Sequence, residues 1–448
     1  RYNDDLSLMR WTVDEPEDYE VVRGVFEYFS PDIYFGWENV VSLVENAPEI
    51  FEANKHLVRN EGSSLSNQQK LFKRASKCHI PTVVRKSTNV LNREKEEELL
   101  FLKRSQGCSV IDNDGKEYID MGMEVAVLGY RNQEVDNAVI AALQEEGGAK
   151  VFISPTEIRL TEVIMEKCTF CDGGVLYFPS DLHVEEFLSE INVFNNVAFI
   201  HLGEKYLRKE FFSEGHYFLD DSRLIEKIES NEVTTVLISI LSFTDISEEL
   251  LIQFLDSIKE KEITIIFDQR NCSFRYENED IIRTLSRRAD IFLLGCGFAS
   301  GYEIHAVGFK EEYIKEIQAF DNINQLMNQK LLSSYLYHAG LKTLEIFERD
   351  NIYIELECRE RYISEKLKKI GEKFSSKDFL VGQTLGGFVI SFTDDSGKMR
   401  DAEKMEVLCS KMRSKGFIFS GNVSIGVCHT EKVIDGFILA LEETLSSM

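Results

Sequence analysis

The sequence predicts an α/β fold built on a mostly parallel sheet. Three short apolar runs lead to this prediction: "VTTVLISIL" at 233–241, "ITIIFDQ" at 263–269 and "ADIFLLG" at 289–295. The helical stretches "SEELLIQFLDSIKEK" and "YENEDIIRTLSRR" separate them. Strands that are apolar on both faces and alternate with helices indicate a parallel sheet covered on both sides.

The composition is that of a globular protein and limits its partners. The formal net charge is −26, so we expect no nucleic-acid partner, because phosphate binding needs clustered Lys and Arg. The apolar runs are too short to cross a bilayer, and we expect no membrane partner. Since no signal peptide is visible, the cytoplasm is the expected location. In that reducing compartment, Cys168 and Cys171 of "CTFC" are expected to be two incidental thiols.

Residues 1–69 have a different pattern from the rest of the chain. We expect a short strand over 8–13, a helix opened by Asp14 and Pro16, and a second amphipathic helix in "GWENVVSLVENAP". The polar run "NEGSSLSNQQ" at 60–69 predicts a linker. Because so few elements bury little apolar surface, this region is expected to be the tail of a larger domain.

The α/β pattern begins near residue 70. "GCSVIDNDGKEYIDM" at 107–121 alternates around an Asp-Gly turn and predicts a β-hairpin, and "NQEVDNAVIAALQEEGG" at 132–148 predicts a helix that ends at glycine. From about 335, long helices alternate with the strand "GGFVISFTD", and a helix in "TEKVIDGFILALEETL" ends the chain.

Several motifs over residues 70–448 resemble, in order, those of class-III pyridoxal-phosphate (PLP) aminotransferases, and most of all the glutamate-1-semialdehyde aminomutase branch. They are the 107–121 hairpin with the helix after it, "ISPTEIRLTEVI", "ITIIFDQRNCSFR", "ADIFLLGCGFASGYEIHAVGF" and the closing helix. The resemblance implies a fold-type-I PLP-transferase architecture. Its large domain would span 131–325, and its small domain would combine 70–130 with 326–448.

The resemblance also implies where the catalytic groups of such an enzyme would lie. Asp268, at the end of an apolar strand, matches the carboxylate that keeps the pyridine ring of PLP protonated. The lysine that forms the internal aldimine would be residue 296, and this chain has Cys296 there. A thiol cannot form an imine.

Other positions of the family pattern have also changed. The phosphate loop reads "PSDLHVEE", without glycine and with added carboxylates at Asp181, Glu185 and Glu186. Ser239 replaces a strand-end glutamate, Gln329 aligns with a phosphate-binding threonine of the partner subunit, and no aromatic Tyr-His-Gly segment is found. We therefore expect no transamination, no cofactor in the aminotransferase-like region, and a role as a dimerising or ligand-binding module.

Two alternatives remain open at this point. One is an active PLP-dependent aminotransferase or aminomutase that uses an unrecognised amine. The other is a different enzyme that reuses the pocket without PLP. Cys296 as a nucleophile would need a base, and His305 is the histidine nearest in sequence. The sequence favours a core or loop thiol.

The N-terminal region resembles a second family. "RWTVDEPEDYEVVRGVFEYF" and "VVSLVENAPEIFEAN" are similar to the C-terminal end of sugar-nucleotide cytidylyltransferases of the spore-coat and CMP-sugar type. That resemblance implies Asp14 as a Mg²⁺ ligand, with helix capping as the alternative. Since the chain begins at Arg1, we expect an upstream nucleotidyltransferase domain. We also expect a role in surface-glycan biosynthesis, a sugar or sugar-nucleotide ligand, and a homodimer.

Overall fold

The structure is a computed structural model of the 448-residue chain. It divides the chain into two compact units, of which the first comprises Arg1–Pro81 with Arg93–Phe101 and the second Thr82–Asn92 with Leu102–Met448. The residues that it describes are 13, 15–55, 66–77, 100–123, 126–148, 150, 152–168, 171–191, 193, 196–202, 216–217, 219, 221–240, 247–270, 274–275, 280–318, 331–375, 378–384, 387–393 and 401–448.

The helices and strands are numbered separately along the chain. The α-helices are α1 (Pro16–Phe29), α2 (Trp37–Asn46), α3 (Asn67–Lys77), α4 (Gln133–Glu145), α5 (Pro155–Lys167), α6 (Asp181–Glu190), α7 (Ser222–Glu229), α8 (Glu248–Ile258), α9 (Asp280–Arg288), α10 (Glu311–Gln318), α11 (Tyr335–Arg349), α12 (Ile352–Phe374), α13 (Ala402–Ser414) and α14 (Glu431–Ser446). The strands are β1 (Leu102–Gln106), β2 (Ser109–Asp112), β3 (Glu117–Asp120), β4 (Gly174–Phe178), β5 (Val197–Leu202), β6 (His216–Tyr217), β7 (Thr235–Ile240), β8 (Thr264–Gln269), β9 (Ile291–Leu294), β10 (His305–Phe309), β11 (Phe379–Thr384), β12 (Gly387–Phe392), β13 (Phe417–Ile418) and β14 (Asn422–Ser424).

The first unit contains α1, α2 and α3. Val21 and Val25 of α1 are buried with Leu43 of α2 in a small apolar cluster. Helix α1 begins at Pro16, where proline suits the first turn because its missing N–H needs no partner there. Residues 8–12 of the strand expected over 8–13, and Asp14, lie outside the described residues.

The end of the predicted linker is helical. Asn67 is the first residue of α3, so residues 67–69 belong to its first turn. Ser66 Oγ accepts from the Gln69 backbone N–H at 3.2 Å, and Gln69 Oε1 accepts from the Ser66 N–H at 3.0 Å. This reciprocal capping box starts a helix within a polar sequence that composition alone assigned to a loop.

A seven-stranded sheet dominates the second unit. Its strand order is β4-β10-β9-β8-β7-β5-β6. Strands β9, β8, β7, β5 and β6 are parallel, and β10 is antiparallel to both of its neighbours. The three apolar runs that predicted a parallel sheet are the adjacent strands β7, β8 and β9, and this prediction is confirmed.

Two smaller sheets complete the second unit. One has the order β1-β2-β3-β13 and contains the predicted hairpin, in which β2 pairs with β3 from Ser109↔Ile119 to Ile111↔Glu117. The other has the order β11-β12-β14 and shares a core with α12, α13 and α14. No helix among the described residues is long and apolar enough to cross a membrane.

A buried ion pair lies at the edge of this core. Arg275 donates from Nε to Glu360 Oε1 of α12 at 3.0 Å, and its Nη2 donates to the carbonyl oxygen of Ile425. The Arg275 side chain is 2% exposed and that of Glu360 is 9% exposed. The pair therefore joins the loop after β8 to elements far along the chain.

Candidate functional site

The candidate site lies where the parallel strands of the seven-stranded sheet end. Asp268 is the penultimate residue of β8, and Cys296 follows the last residue of β9 by two positions. Asp268 pairs with Ser239 of β7 on one side and with Leu293 of β9 on the other. Open α/β sheets bind ligands at this edge, so the structure places both sequence-predicted residues where a ligand would bind.

Asp268 forms a close ion pair with Arg270. Arg270 donates from Nη2 to Asp268 Oδ2 at 2.8 Å and from Nε to Oδ1 at 3.0 Å, and its backbone N–H donates to the same Oδ1 at 3.0 Å. The Asp268 side chain is 12% exposed and that of Arg270 is 17% exposed. Both oxygens of the carboxylate are therefore occupied by a neighbour two residues away.

Arg270 also binds the start of α6. Its Nη1 donates to Glu185 Oε1 at 3.0 Å and lies 3.7 Å from Asp181 Oδ1. Burial opposes the charge of Arg270, but the surrounding carboxylates, Asp268 first, more than offset that cost and raise its pKa. One guanidinium is thus shared by three acidic side chains.

The start of α6 is the segment that the resemblance assigns to the phosphate loop of the family pattern. Ser180 caps this helix, and its Oγ accepts from the His183 N–H at 3.4 Å. The first turn has the Asp181 carboxylate, and Glu185 lies one turn further on. These charges complement the helix dipole, and they would repel a phosphate in the position where a helix N-terminus otherwise attracts one.

Cys296 begins a short 3₁₀ turn, Cys296–Ala299. Gly295 precedes it, and a Cβ there would overlap the carbonyl oxygen of Arg270. Burial, followed by the Glu303 and Asp181 charges, raises the pKa of the Cys296 thiol to about 12. The thiol is therefore protonated at neutral pH, which argues against a free thiolate nucleophile.

His305 and Glu303 complete a cluster around Cys296. The sulfur of Cys296, a carboxylate oxygen of Glu303 and a ring nitrogen of His305 all lie within 4.8 Å of one another. His305 Nδ1 is 2.9 Å from Asp181 Oδ1, and its Nε2 is 3.7 Å from Glu303 Oε2. The sequence favoured a core or loop thiol at Cys296, and His305, nine residues on, is the histidine nearest to it in the chain.

The remaining residues singled out in the sequence lie apart from the cluster around Cys296 or outside the described residues. Ser239 is buried beside Asp268 in the sheet. Asp14 and Gln329 lie outside the described residues. Cys168 and Cys171 are buried free thiols, and burial raises the pKa of both, that of Cys171 to about 11. High thiol pKa values are those of unreactive cysteines in a core.

Comparison with known proteins shows what the chain is similar to. It is 23% identical over 350 residues to a 3-aminobutyryl-CoA aminotransferase of Cloacimonas acidaminovorans, with 70% of this chain and 80% of that protein covered. It is 22% identical over 417 residues to a glutamate-1-semialdehyde 2,1-aminomutase of Fusobacterium nucleatum, with 84% and 94% covered. No protein-family model matches.

A solved structure described as a transaminase with PLP bound matches with a TM-score of 0.66. The identity is 16%, and the match covers 84% of this chain and 96% of that one. The predicted fold-type-I PLP-transferase-like fold is confirmed.

These comparisons contradict one expectation. The sequence analysis expected no cofactor in the aminotransferase-like region, whereas the solved transaminase of this fold has PLP bound and the curated relatives are an aminotransferase and an aminomutase. The expectation is wrong, because changes at single pocket positions do not establish that a cofactor fails to bind. PLP is the first ligand to test on this chain.

The described residues nevertheless do not fit PLP held as an internal aldimine at position 296. Cys296 has no amine, and the Asp268 carboxylate is already bonded to Arg270. Asp181 occupies the helix start that would have to accept a phosphate. The charged groups of the site are mostly acidic: Asp181, Glu185 and Asp268 lie around Arg270, and Glu303 lies beside Cys296 and His305.

Proposed function

We propose that this chain, which has a class-III PLP aminotransferase-like fold, does not carry out lysine-dependent transamination and acts as a ligand-binding and dimerising module. The proposal rests on Cys296, which has a thiol at the position that the resemblance assigns to the aldimine lysine. It is supported by the Asp268–Arg270 pair, because Arg270 engages the carboxylate that would otherwise keep the cofactor ring protonated. The proposal concerns the reaction and leaves the binding of PLP to experiment.

The test is an assay of the purified chain with added PLP and a panel of amine donors and keto-acid acceptors. We expect no turnover above that of free PLP, because no described residue in the pocket supplies an amine for transaldimination. The absorbance spectrum, followed by borohydride reduction and peptide mass mapping, locates any imine. A specific reduced adduct on one lysine, together with turnover, would overturn the proposal in favour of an active aminotransferase or aminomutase.

We propose further that the chain forms a two-fold homodimer. Support comes from three elements that would form the interface and that the chain retains: the β2–β3 hairpin, the segment 295–301, and α11. Helix α11 begins at Tyr335. Light scattering at micromolar concentration should give twice the chain mass, and a monomer would contradict this part of the proposal.

The third part of the proposal concerns the N-terminal unit. The resemblance of its helices to the end of cytidylyltransferases supports a link to sugar activation and surface-glycan biosynthesis, with Mg²⁺ used by an upstream domain. The complete reading frame tests it. We expect a glycine-rich and basic nucleotide-binding segment before residue 1, and a frame without one would contradict this part.

A further inference from the structure

Three side chains with different donor atoms converge at the end of β9. They are the Sγ of Cys296, a carboxylate oxygen of Glu303 and a ring nitrogen of His305, all within 4.8 Å of one another. We propose that they form a binding site for a divalent transition metal ion of the zinc type. The position that the resemblance assigns to a catalytic lysine would then supply a metal ligand.

The backbone explains why residues nine positions apart meet. Strand β10 returns antiparallel to β9 with Ala306 opposite Leu294, so His305 comes back beside the segment that contains Cys296. The connection closes tightly, with the Gly301 N–H donating to the Cys296 carbonyl at 3.1 Å. Ser300 at φ 54° and Gly301 at φ 89° supply the left-handed turn. The arrangement is therefore built by the sheet and does not depend on side-chain rotamers alone.

His305 is the second, independent observation. Its side chain is 6% exposed, and neither ring nitrogen has a hydrogen-bond partner of acceptable geometry among the described residues. Leaving a buried polar atom unsatisfied destabilises the folded state, because the atom loses its hydrogen bonds to water. A metal ion bound to Nε2, on the side of Glu303, would remove that cost. Nδ1 lies 2.9 Å from Asp181 Oδ1, so a small rotation of the ring on metal binding would let Nδ1–H donate to that oxygen.

A carboxylate behind a histidine ligand is a recurrent feature of zinc sites, since it orients the ring and makes the ligating nitrogen more basic. Here Asp181 would have that role. It is itself held near Arg270, whose Nη1 lies 3.7 Å from Asp181 Oδ1. The cluster thus contains both the direct ligands and a group that supports one of them.

The donor set selects the class of ion. One sulfur, one imidazole nitrogen and one carboxylate oxygen suit Zn²⁺ or Co²⁺, whereas Mg²⁺ and Ca²⁺ prefer oxygen alone. Zinc binds these atoms at about 2.0–2.3 Å, so the three donor atoms must move closer to one another by roughly 1 Å when the ion binds. Glu303 can move, because its side chain is 75% exposed. Binding would release the thiol proton of Cys296 to solvent and leave a fourth position open.

The competing interpretation is a simple ion pair between His305 and Asp181 that involves no metal. A binding experiment on the full chain separates the two. The protein is stripped with a chelator, dialysed, and titrated with Zn²⁺ against a chromophoric chelator. We expect one tight equivalent, a raised thermal midpoint on binding, and, with Co²⁺, the near-ultraviolet band of sulfur-to-cobalt charge transfer.

The variants Cys296→Ser and Glu303→Gln test the ligands directly. Each should weaken Zn²⁺ binding at least about tenfold, and Cys296→Ser should abolish the sulfur-to-cobalt band. Cys409→Ser and Glu312→Gln are matched controls, since Cys409 is a half-buried thiol of α13 and Glu312 is exposed on α10. Both controls should bind as the wild type does.

The proposal is overturned if the folded wild type binds no stoichiometric Zn²⁺. It is equally overturned if Cys296→Ser and Glu303→Gln bind Zn²⁺ as tightly as the wild type does. The same holds if the two control variants lose as much Zn²⁺ affinity as these two ligand variants. His305→Gln should also lose binding. Should that buried substitution prevent folding, the exposed Glu303→Gln variant decides the question alone.

Discussion

Arg270 and Asp268 form a two-residue ion pair at the end of β8, with Nη2 at 2.8 Å from Oδ2 and Nε at 3.0 Å from Oδ1. The pair is mostly buried, and Arg270 reaches from it to Glu185 of α6. It therefore links the central strand of the sheet to a neighbouring helix. Its removal leaves a group of carboxylates without their shared cation.

The first prediction concerns this arginine. Arg270→Met should lower the free energy of unfolding by about 2 kcal/mol, because hydrogen bonds to charged, partly buried groups are worth about 1.5–3 kcal/mol. Urea denaturation at low salt measures the change. Arg223→Met is the matched control: Arg223 pairs with Asp221 but is 74% exposed, and its loss should change the free energy of unfolding far less than the loss of Arg270 does. Equal effects at the two positions would contradict the prediction.

The second prediction concerns the lysine position. Cys296→Lys alone should not yield transamination with added PLP, because Asp268 remains bonded to Arg270 and Asp181 remains at the start of α6. The new amine would more readily pair with Glu303 or Asp181, whose charges act on Cys296. The transaminase activity of the variant is measured as turnover of an amine donor, with the wild type plus free PLP as the control. Appreciable turnover by this single variant would show that the other changes matter little.

The third prediction concerns the buried pair Arg275–Glu360. Glu360→Ala should lower the free energy of unfolding by about 3–5 kcal/mol, since it leaves a guanidinium buried without its counter-ion. The double variant Arg275→Met with Glu360→Leu should be less destabilised than Glu360→Ala. Glu357→Ala is the control, because Glu357 pairs with Arg361 on the exposed face of the same helix and should change stability by at most about 0.5 kcal/mol. Chemical denaturation separates these outcomes.

The fourth prediction concerns pH. Burial lowers the pKa of His429, which accepts from the Gly426 N–H at Nδ1 and lies 2.8 Å from the Asp120 carbonyl at Nε2. The unfolded histidine takes up a proton below about pH 6.5, whereas the folded one does so only at lower pH. The contribution of the neutral, buried His429 to the free energy of unfolding is therefore complete above about pH 6.5 and is lost as the pH falls towards the pKa of the folded state.

This loss is at most about 1.4 kcal/mol at one pH unit below the unfolded pKa. Urea denaturation at pH 7.5 and pH 5.5 should show a smaller drop for His429→Asn than for the wild type, although the variant is less stable at pH 7.5. His338→Asn is the control, since His338 lies on the half-exposed side of α11 beside Glu146. If His429→Asn has the same pH dependence as the wild type, the prediction is wrong.

Local patterns in the sequence were sufficient for the elements and insufficient for the contacts of the site. Strands β7, β8 and β9 are continuous apolar runs, and the 107–121 hairpin has its turn chemistry within the segment, so both could be predicted. The helix at Asn67 was missed because its stabilising contacts are the Ser66–Gln69 capping bonds within a polar run. A Ser-x-x-Gln pattern was the available signal.

In the site, too, local sequence patterns predicted the positions of residues but not all of their contacts. Asp268 and Cys296 could be placed because each follows an apolar strand. The contact of Asp268 with Arg270 was accessible in principle, since the two are separated by one residue. The contact of His305 with Asp181 was not, because it depends on β10 pairing with β4, where His305 lies opposite Phe178, just before α6. No periodicity in the sequence encodes that antiparallel insertion.

Gly295 has a consequence for engineering this fold. Any side chain at position 295 would collide with the main chain at Arg270, so glycine is required there by the spacing of the backbone. This requirement does not depend on the reaction or ligand of the pocket. Position 296, immediately after it, is presented at the edge of the sheet by the same rigid backbone. A library that varies residue 296 while retaining Gly295 would therefore sample new chemistry on an unchanged frame, whereas varying both would mostly sample misfolded chains.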